Sequence, residues 1–320
     1  MDQNVNNQSH LEKYNGKIIV YGLYFLIVGF LLNFTININP IYPQEENITI
    51  NVTKLTDSIY MLEGSGGNIV VSVGEDGVFM VDDQFAPLTE KIREAISEIT
   101  DQPIKYVINT HWHPDHTGGN ENLGELGAII VSHENVRERL STEQFSEFFQ
   151  RSSPPLSEKG LPIVAFSDNM TIYQNDDEIK IIHVDKGHTD GDSIVYFKNN
   201  NVIHVGDDFR DISYPFIDLS SGGSIDGLIS ALETTASIIN DDTKVVSGHS
   251  EISNKTKVVE FTNMLKDVRD AISEMIEEGN SLEEIIASNP TSQYDEIYYD
   301  HIMLSPDDFV THVYQSLTKK

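Results

Sequence analysis

Six consecutive residues, His111-Trp112-His113-Pro114-Asp115-His116, carry three of the chain's 11 histidines and one carboxylate. They follow Ile104-Lys105-Tyr106-Val107-Ile108-Asn109, whose β-branched and aromatic residues predict a strand. The cluster therefore sits on a loop leaving a strand's C-terminal end, where α/β folds usually place their chemistry. In extended backbone, residues two apart share a face, so His111 and His113 can present two imidazoles to one metal ion. Pro114 breaks the extended run. Asp115 and His116 then point elsewhere, which suits a second ion. Gly118-Gly119 permits close backbone approach. Three imidazoles and a carboxylate share no packing motive, so the stretch reads as half of a metal site.

A catalytic zinc takes three protein ligands and a water, so more ligands are expected downstream at strand ends. His188 lies in the turn Gly187-His188-Thr189-Asp190-Gly191-Asp192. Asp207 follows Val205-Gly206, with Asp208 beside it as a rival, and His249 follows Gly248. Each repeats the order strand, glycine, ligand. His10, His133, His183, His204, His301 and His312 receive no ligand role. Alternation puts His204 on the side of Gly206 and Asp208 rather than Asp207. Trp112 and Phe209 are expected to pack around the site.

His111-x-His113-x-Asp115-His116, followed by His188, Asp207 and His249, resembles the metallo-β-lactamase superfamily over residues 48–253. The resemblance implies an α/β fold, an αββα sandwich with C-terminal helices added, and a dinuclear zinc site at one edge. It implies that His111, His113 and His188 hold one Zn2+, that Asp115, His116 and His249 hold the other, and that Asp207 bridges them. Asp82 falls where the family has a supporting aspartate, and Gly66-Gly67-Asn68 where it has a turn. His116 and the absence of cysteine make the chain more similar to the B3, lactonase and thioesterase branches than to the B1 lactamases. A bridging Asp207 is typical of the hydrolase branches. The segment around Tyr214-Pro215-Phe216-Ile217-Asp218 and the helical tail look like a subgroup of exported members.

The chemistry implied is hydrolysis. Two zinc ions about 3.5–4 Å apart share a water, lower its pKa toward about 7 and polarise a carbonyl, while Asp115 orients the nucleophile and takes its proton. The expected substrate is a small lactone, thioester, ester or lactam. An iron-dependent oxidoreductase of the same fold, or a metal-bearing scaffold, are the alternatives. Lys186 and Arg210 are the nearest cations in sequence and read as surface charges. The net charge of −30 disfavours phosphate backbones, so no nucleic-acid partner is expected. Oligomeric state is not legible.

Residues 1–16 read as a polar tail. Ile18 to Phe34 run without a charge, near the short limit for spanning a bilayer. Lys13 and Lys17 before the run, with Glu45 and Glu46 after it, place the remainder outside the cytoplasm. The run is an uncleaved membrane anchor or a cleaved export signal, and the protein is expected to be extracytoplasmic. Asn47-Ile48-Thr49 and Asn51-Val52-Thr53 have the form of glycosylation acceptors. Residues 1–46 thus precede a metallo-β-lactamase-like domain over 47–253 and a helical extension over 254–320. Within the domain, helices are expected at Leu88 to Ile99, with Thr89 as N-cap, at 134–140 and at 224–239. Residues 141–168, with Phe145, Phe148 and Phe149, read as a lid or a short helix packed on the body. Ser281-Leu282-Glu283-Glu284 has capping-box form.

Overall fold

The computed structural model describes residues 48–319. The polar tail, the apolar run Ile18 to Phe34 and Asn47 of the first glycosylation triplet lie outside the described residues. Among the described residues, no helix is long and apolar enough to cross a membrane.

The first sheet contains β1 (Asn51–Lys54), β2 (Ile59–Glu63), β3 (Ile69–Ser72), β4 (Val78–Val81), β5 (Ile104–Ile108), β6 (Ile129–His133) and, after the separate hairpin of β7 (Gln144–Ser146) and β8 (Arg151–Ser153), β9 (Val164–Phe166). These seven strands lie in the order β1-β2-β3-β4-β5-β6-β9. β4, β5, β6 and β9 are parallel. The second sheet runs β10 (Asn169–Gln174), β11 (Asp177–His183), β12 (Ser193–Phe197), β13 (Val202–His204) and β14 (Lys244–Val246), also in that order.

Alternation explains why the strands read as almost unbroken apolar runs. In β3 and β4, Val70, Phe79 and Val81 face the second sheet, while Ile69, Val71, Val78 and Met80 face helices on the other side. In β12, Val195 and Phe197 point inward and Ile194 and Tyr196 outward. Each sheet buries both faces, so neither needs a polar one. The outer helix on the first sheet is α1 (Thr89–Ser97), which contributes Ile92 and Ile96. Thr89 is not its N-cap. It is the first helical residue, and its hydroxyl donates to the Ala86 carbonyl instead of capping.

Three short helices follow in the chain: α2 (Pro114–Thr117), α3 (Asn120–Glu125) and α4 (Glu134–Leu140). The second sheet is covered by α5 (Ile225–Ile238), capped by Ser224, and by the 23-residue α6 (Lys255–Glu277). The tail adds α7 (Leu282–Ala287), with Ser281 and Glu284 closing the capping box, then α8 (Asp295–Tyr298) and α9 (Pro306–Thr318). Phe261, Leu265, Phe309 and Val313 from these helices share one core with Ile203 of β13 and Val205 just after it. The architecture is the αββα sandwich with C-terminal helices. Residues 141–168 hold neither a packed helix nor an irregular loop alone: their first part is the β7–β8 hairpin. A Phe-Phe-Gln apex with Gln150 at φ 49 closes it.

Candidate metal centre

Five chain segments end at one edge of the sandwich. β5 runs into residues 109–117, and the β11–β12 turn delivers His188. β13 leads to Asp207 and β14 to His249, each three residues past the strand, and the β2–β3 turn brings Gly67 and Asn68. Asn68 ties the last two together, donating to the carbonyls of Ser247 and Ser250 at 3.0 and 2.8 Å. Two glycines are dictated by crowding. A Cβ on Gly67 would strike the His116 ring, and one on Gly248 would strike Asp207 Oδ1.

His111, His113 and His188 converge, as the extended spacing requires. His113 Nδ1 lies 3.1 Å from His111 Nε2 and 2.9 Å from His188 Nε2. A second group joins Asp115, His116 and His249. His249 Nε2 is 3.2 Å from Asp115 Oδ2 and 3.3 Å from His116 Nε2. Asp207 reaches both groups: Oδ1 is 3.3 Å from His116 Nε2, while Oδ2 is 3.3 Å from His249 Nε2 and 3.9 Å from His188 Nε2. Within each set, the nominated atoms lie inside 4.8 Å of one another.

The rear nitrogens of His111, His113, His116 and His188 are held by other groups. Asp82 Oδ2 accepts from His116 Nδ1 at 2.7 Å, and the same carboxylate accepts from the Thr110 amide and hydroxyl. The Phe216 carbonyl accepts from His188 Nδ1 at 2.7 Å. Asp218 Oδ2 accepts from His113 Nε2 at 3.0 Å. Thr110 Oγ1 sits 3.1 Å from His111 Nδ1. The other ring nitrogens of these four therefore turn inward. Such convergence fits a cation, because imidazoles whose rear N–H groups are committed cannot hydrogen-bond each other's lone pairs. Asp207 Oδ1 is buried without a hydrogen-bond partner, which also fits a metal ligand. Asp82 itself adopts φ 60, a conformation seldom held by a non-glycine residue without a local reason.

The electrostatics divides the centre. Burial and the imidazoles of His116 and His113 push His111 well below the usual histidine range. Burial and His113 bring His188 down to about 4. In the other half, burial opposes charge but the carboxylates outweigh it: Asp207, Asp115 and Asp82 raise His116, and Asp207 and Asp115 raise His249 to about 9. Asp115 and Asp207 are held well below the usual carboxylate range, since His116 and His249 overcome the burial that would otherwise protonate them. Burial and mutual repulsion thus disfavour charge on His111 and His188, while the carboxylates favour it on His116 and His249.

Asp208 does not join the centre. It accepts the His188 amide at 3.0 Å, and burial pushes its carboxyl up to about 7. His204 likewise stays outside, bound to the Asn68 carbonyl. Trp112 packs on Val136, Leu140 and Leu161 and donates to Ser221 Oγ. Asp218 is the polar contributor without a sequence signal. It returns 105 residues after His113, and its ordering through Ser220 and Ser221 is invisible before folding.

Comparison with known proteins agrees with this geometry. The profile of the metallo-beta-lactamase superfamily matches residues 53–249. The hydroxyacylglutathione hydrolase of Pelagibacter ubique is 25% identical over 158 residues, which are 48% of this chain and 55% of that protein. Hydroxyacylglutathione hydrolase GloC of Haemophilus influenzae is 27% identical over 50% of this chain and 74% of that one. The chain thus spans about half the length of the first relative. A metallo-beta-lactamase from Pontibacter korlensis superposes with TM-score 0.57 at 17% identity, covering 68% of this chain and all of that one. The inverting sec-alkylsulfatase of a Pseudomonas species reaches 0.63 at 13% identity, over 83% of this chain and 50% of that one. These structural likenesses concern the fold. The profile match extends over more than half of the sequence, and the chain belongs to the metallo-beta-lactamase superfamily.

Proposed function

We propose that the protein is a metal-dependent hydrolase of a small carbonyl substrate, with two zinc ions as its cofactor. His111, His113 and His188 would hold one ion, and Asp115, His116 and His249 the other. Asp207 would span both. The observation that carries this reading is the Asp207 carboxylate, part-buried between two sets of converging imidazole nitrogens, with its Oδ1 atom buried and without a hydrogen-bond partner. When bound, the ions supply an activated water and a Lewis acid.

The chain's own residues do the rest. Asp82, Asp218 and the Phe216 carbonyl fix ring orientation. Asp115, whose Oδ2 lies 3.2 Å from His249 Nε2, can orient the nucleophile and accept its proton. The names of the curated relatives support thioesters within the candidate class. The surroundings do not favour an anionic one. An open cleft of about 460 Å³ beside His249 includes Glu63, Asp211 and Glu251. Its Lys257 is tied to Glu260, and Arg210 lies 3.8 Å from Asp300. Export remains an expectation resting on the apolar run Ile18 to Phe34.

The test is metal analysis of the purified protein alongside a panel of esters, lactones, thioesters, lactams and phosphodiesters. The reading expects zinc and turnover of a carbonyl compound, both lost in His111→Ala. Iron with no hydrolysis would move the protein to the oxidoreductase alternative.

A further inference from the structure

We propose that the β7–β8 hairpin and the C-terminal helix α9 together build an apolar wall that selects substrates with a long alkyl or aryl acyl group. This rests on the hydrolase reading and names the part of the substrate that the metal centre leaves open. Phe216 is the link. Its ring stacks on His113, with centroids 6.4 Å apart and planes 30° apart, and lies 5.8 Å from the His188 ring. Phe148 and Phe149 from the hairpin apex then pack on Phe216 at 5.0 and 5.2 Å, and on each other at 5.0 Å. His312 of α9 closes the cluster, 5.3 Å from Phe148 and 5.8 Å from Phe216.

The rings pack together, yet Phe148 stays 39% exposed and Phe149 52% exposed. Two phenyl faces open to water beside a polar site are a surface for apolar matter. Through Phe216 the surface reaches the part-exposed His113 imidazole, with the buried His188 ring behind it. A carbonyl held at the centre would carry its substituent across it. The hairpin is fastened at its base. The Arg139 guanidinium binds Asp190 of the His188 turn through two hydrogen bonds of 2.7 and 2.6 Å, and donates to Gln144 of β7 at 3.1 Å. The same arginine thus sets both the loop that carries His188 and the strand that carries the phenylalanines.

The experiment uses the full, metal-loaded chain and p-nitrophenyl esters from acetate to octanoate. The wall predicts that kcat/KM climbs by up to about fourfold per methylene, the value of burying a CH₂. In Phe148→Ser/Phe149→Ser the climb flattens, so long esters lose far more than acetate does. Circular dichroism and the single change Phe149→Gln, on an exposed ring, guard against a folding defect. A flat series in the wild type, or a slope unchanged in the double variant, overturns the proposal. If no ester is turned over, the hydrolase reading is at fault, and binding of acetate against octanoate by calorimetry still decides on the wall. Tighter octanoate binding that depends on Phe148 and Phe149 supports it; equal binding overturns it.

Discussion

Asp82 and Asp218 show how the centre is held together one hydrogen bond at a time. Each fixes the rear nitrogen of one imidazole, and such partners typically contribute about 10–100-fold in metal affinity. Asp82→Ala should weaken zinc binding by about that factor, read by competition with a chromogenic chelator, because it releases His116 and Thr110 together. Asp218→Asn can still accept one hydrogen bond through its amide oxygen, so its loss should be the smaller of the two. At this scale the sequence was informative in the dense cluster after β5 and at the three positions where a ligand follows a glycine near a strand end. His111, His113, Asp115, His116, His188, Asp207 and His249 all meet. Asp218 was read only as part of a loop, because its partner is chosen by where that loop folds back and by the serines after it.

The elements add two predictions. Arg139 joins α4 to the His188 turn and to β7, and it is only partly exposed. Arg139→Ala should cost about 1–3 kcal/mol in urea unfolding, the range for losing hydrogen bonds to a charged group, and should raise KM more than it lowers kcat. The second concerns the junction of β6 with β11, where the His133 and His183 rings stack at 3.6 Å with planes 7° apart. Burial, then the charge of His183, lowers the His133 pKa from 6.5, while the Ser167 carbonyl, Glu134 and Asp190 oppose the shift. A histidine with a lowered folded pKa binds its proton more readily when unfolded. Its contribution is therefore intact above pH 6.5 and is lost as pH falls below that value. His133→Gln should flatten the fall of melting temperature on the acid side of that value. Neither feature was legible beforehand. The hairpin at 144–153 was concealed because Gln144–Ser146 and Arg151–Ser153 are too short for a period-2 pattern. Helix boundaries fared better where a cap was chemically plain, as at Ser224 and Ser281, and worse at Thr89, whose hydroxyl bonds backward to Ala86.

At the scale of the whole molecule, the two-sheet sandwich was legible through the resemblance that the histidine and aspartate motifs carry, and the structure has it. The role of the last 60 or so residues was less so. Their amphipathic pattern shows a packed face but not its target. The structure places Phe309 of α9 in the common core, stacked 4.6 Å from the Tyr214 ring, whose hydroxyl donates to Asp295. Phe309→Ala should therefore destabilise the entire unit by about 3–5 kcal/mol in chemical denaturation, as for other buried phenylalanines. A loss confined to the tail, with the sandwich unfolding as before, would show that the helices are an appendage. The central claim is the pair of ions spanned by Asp207. Its most direct test is the metal content of the purified chain by mass spectrometry, for wild type and Asp207→Ala, each after dialysis against a weak chelator. The account predicts two zinc ions per wild-type chain and the loss of at least one from the variant. A wild-type chain that retains no metal, or a variant that retains both ions, would contradict it.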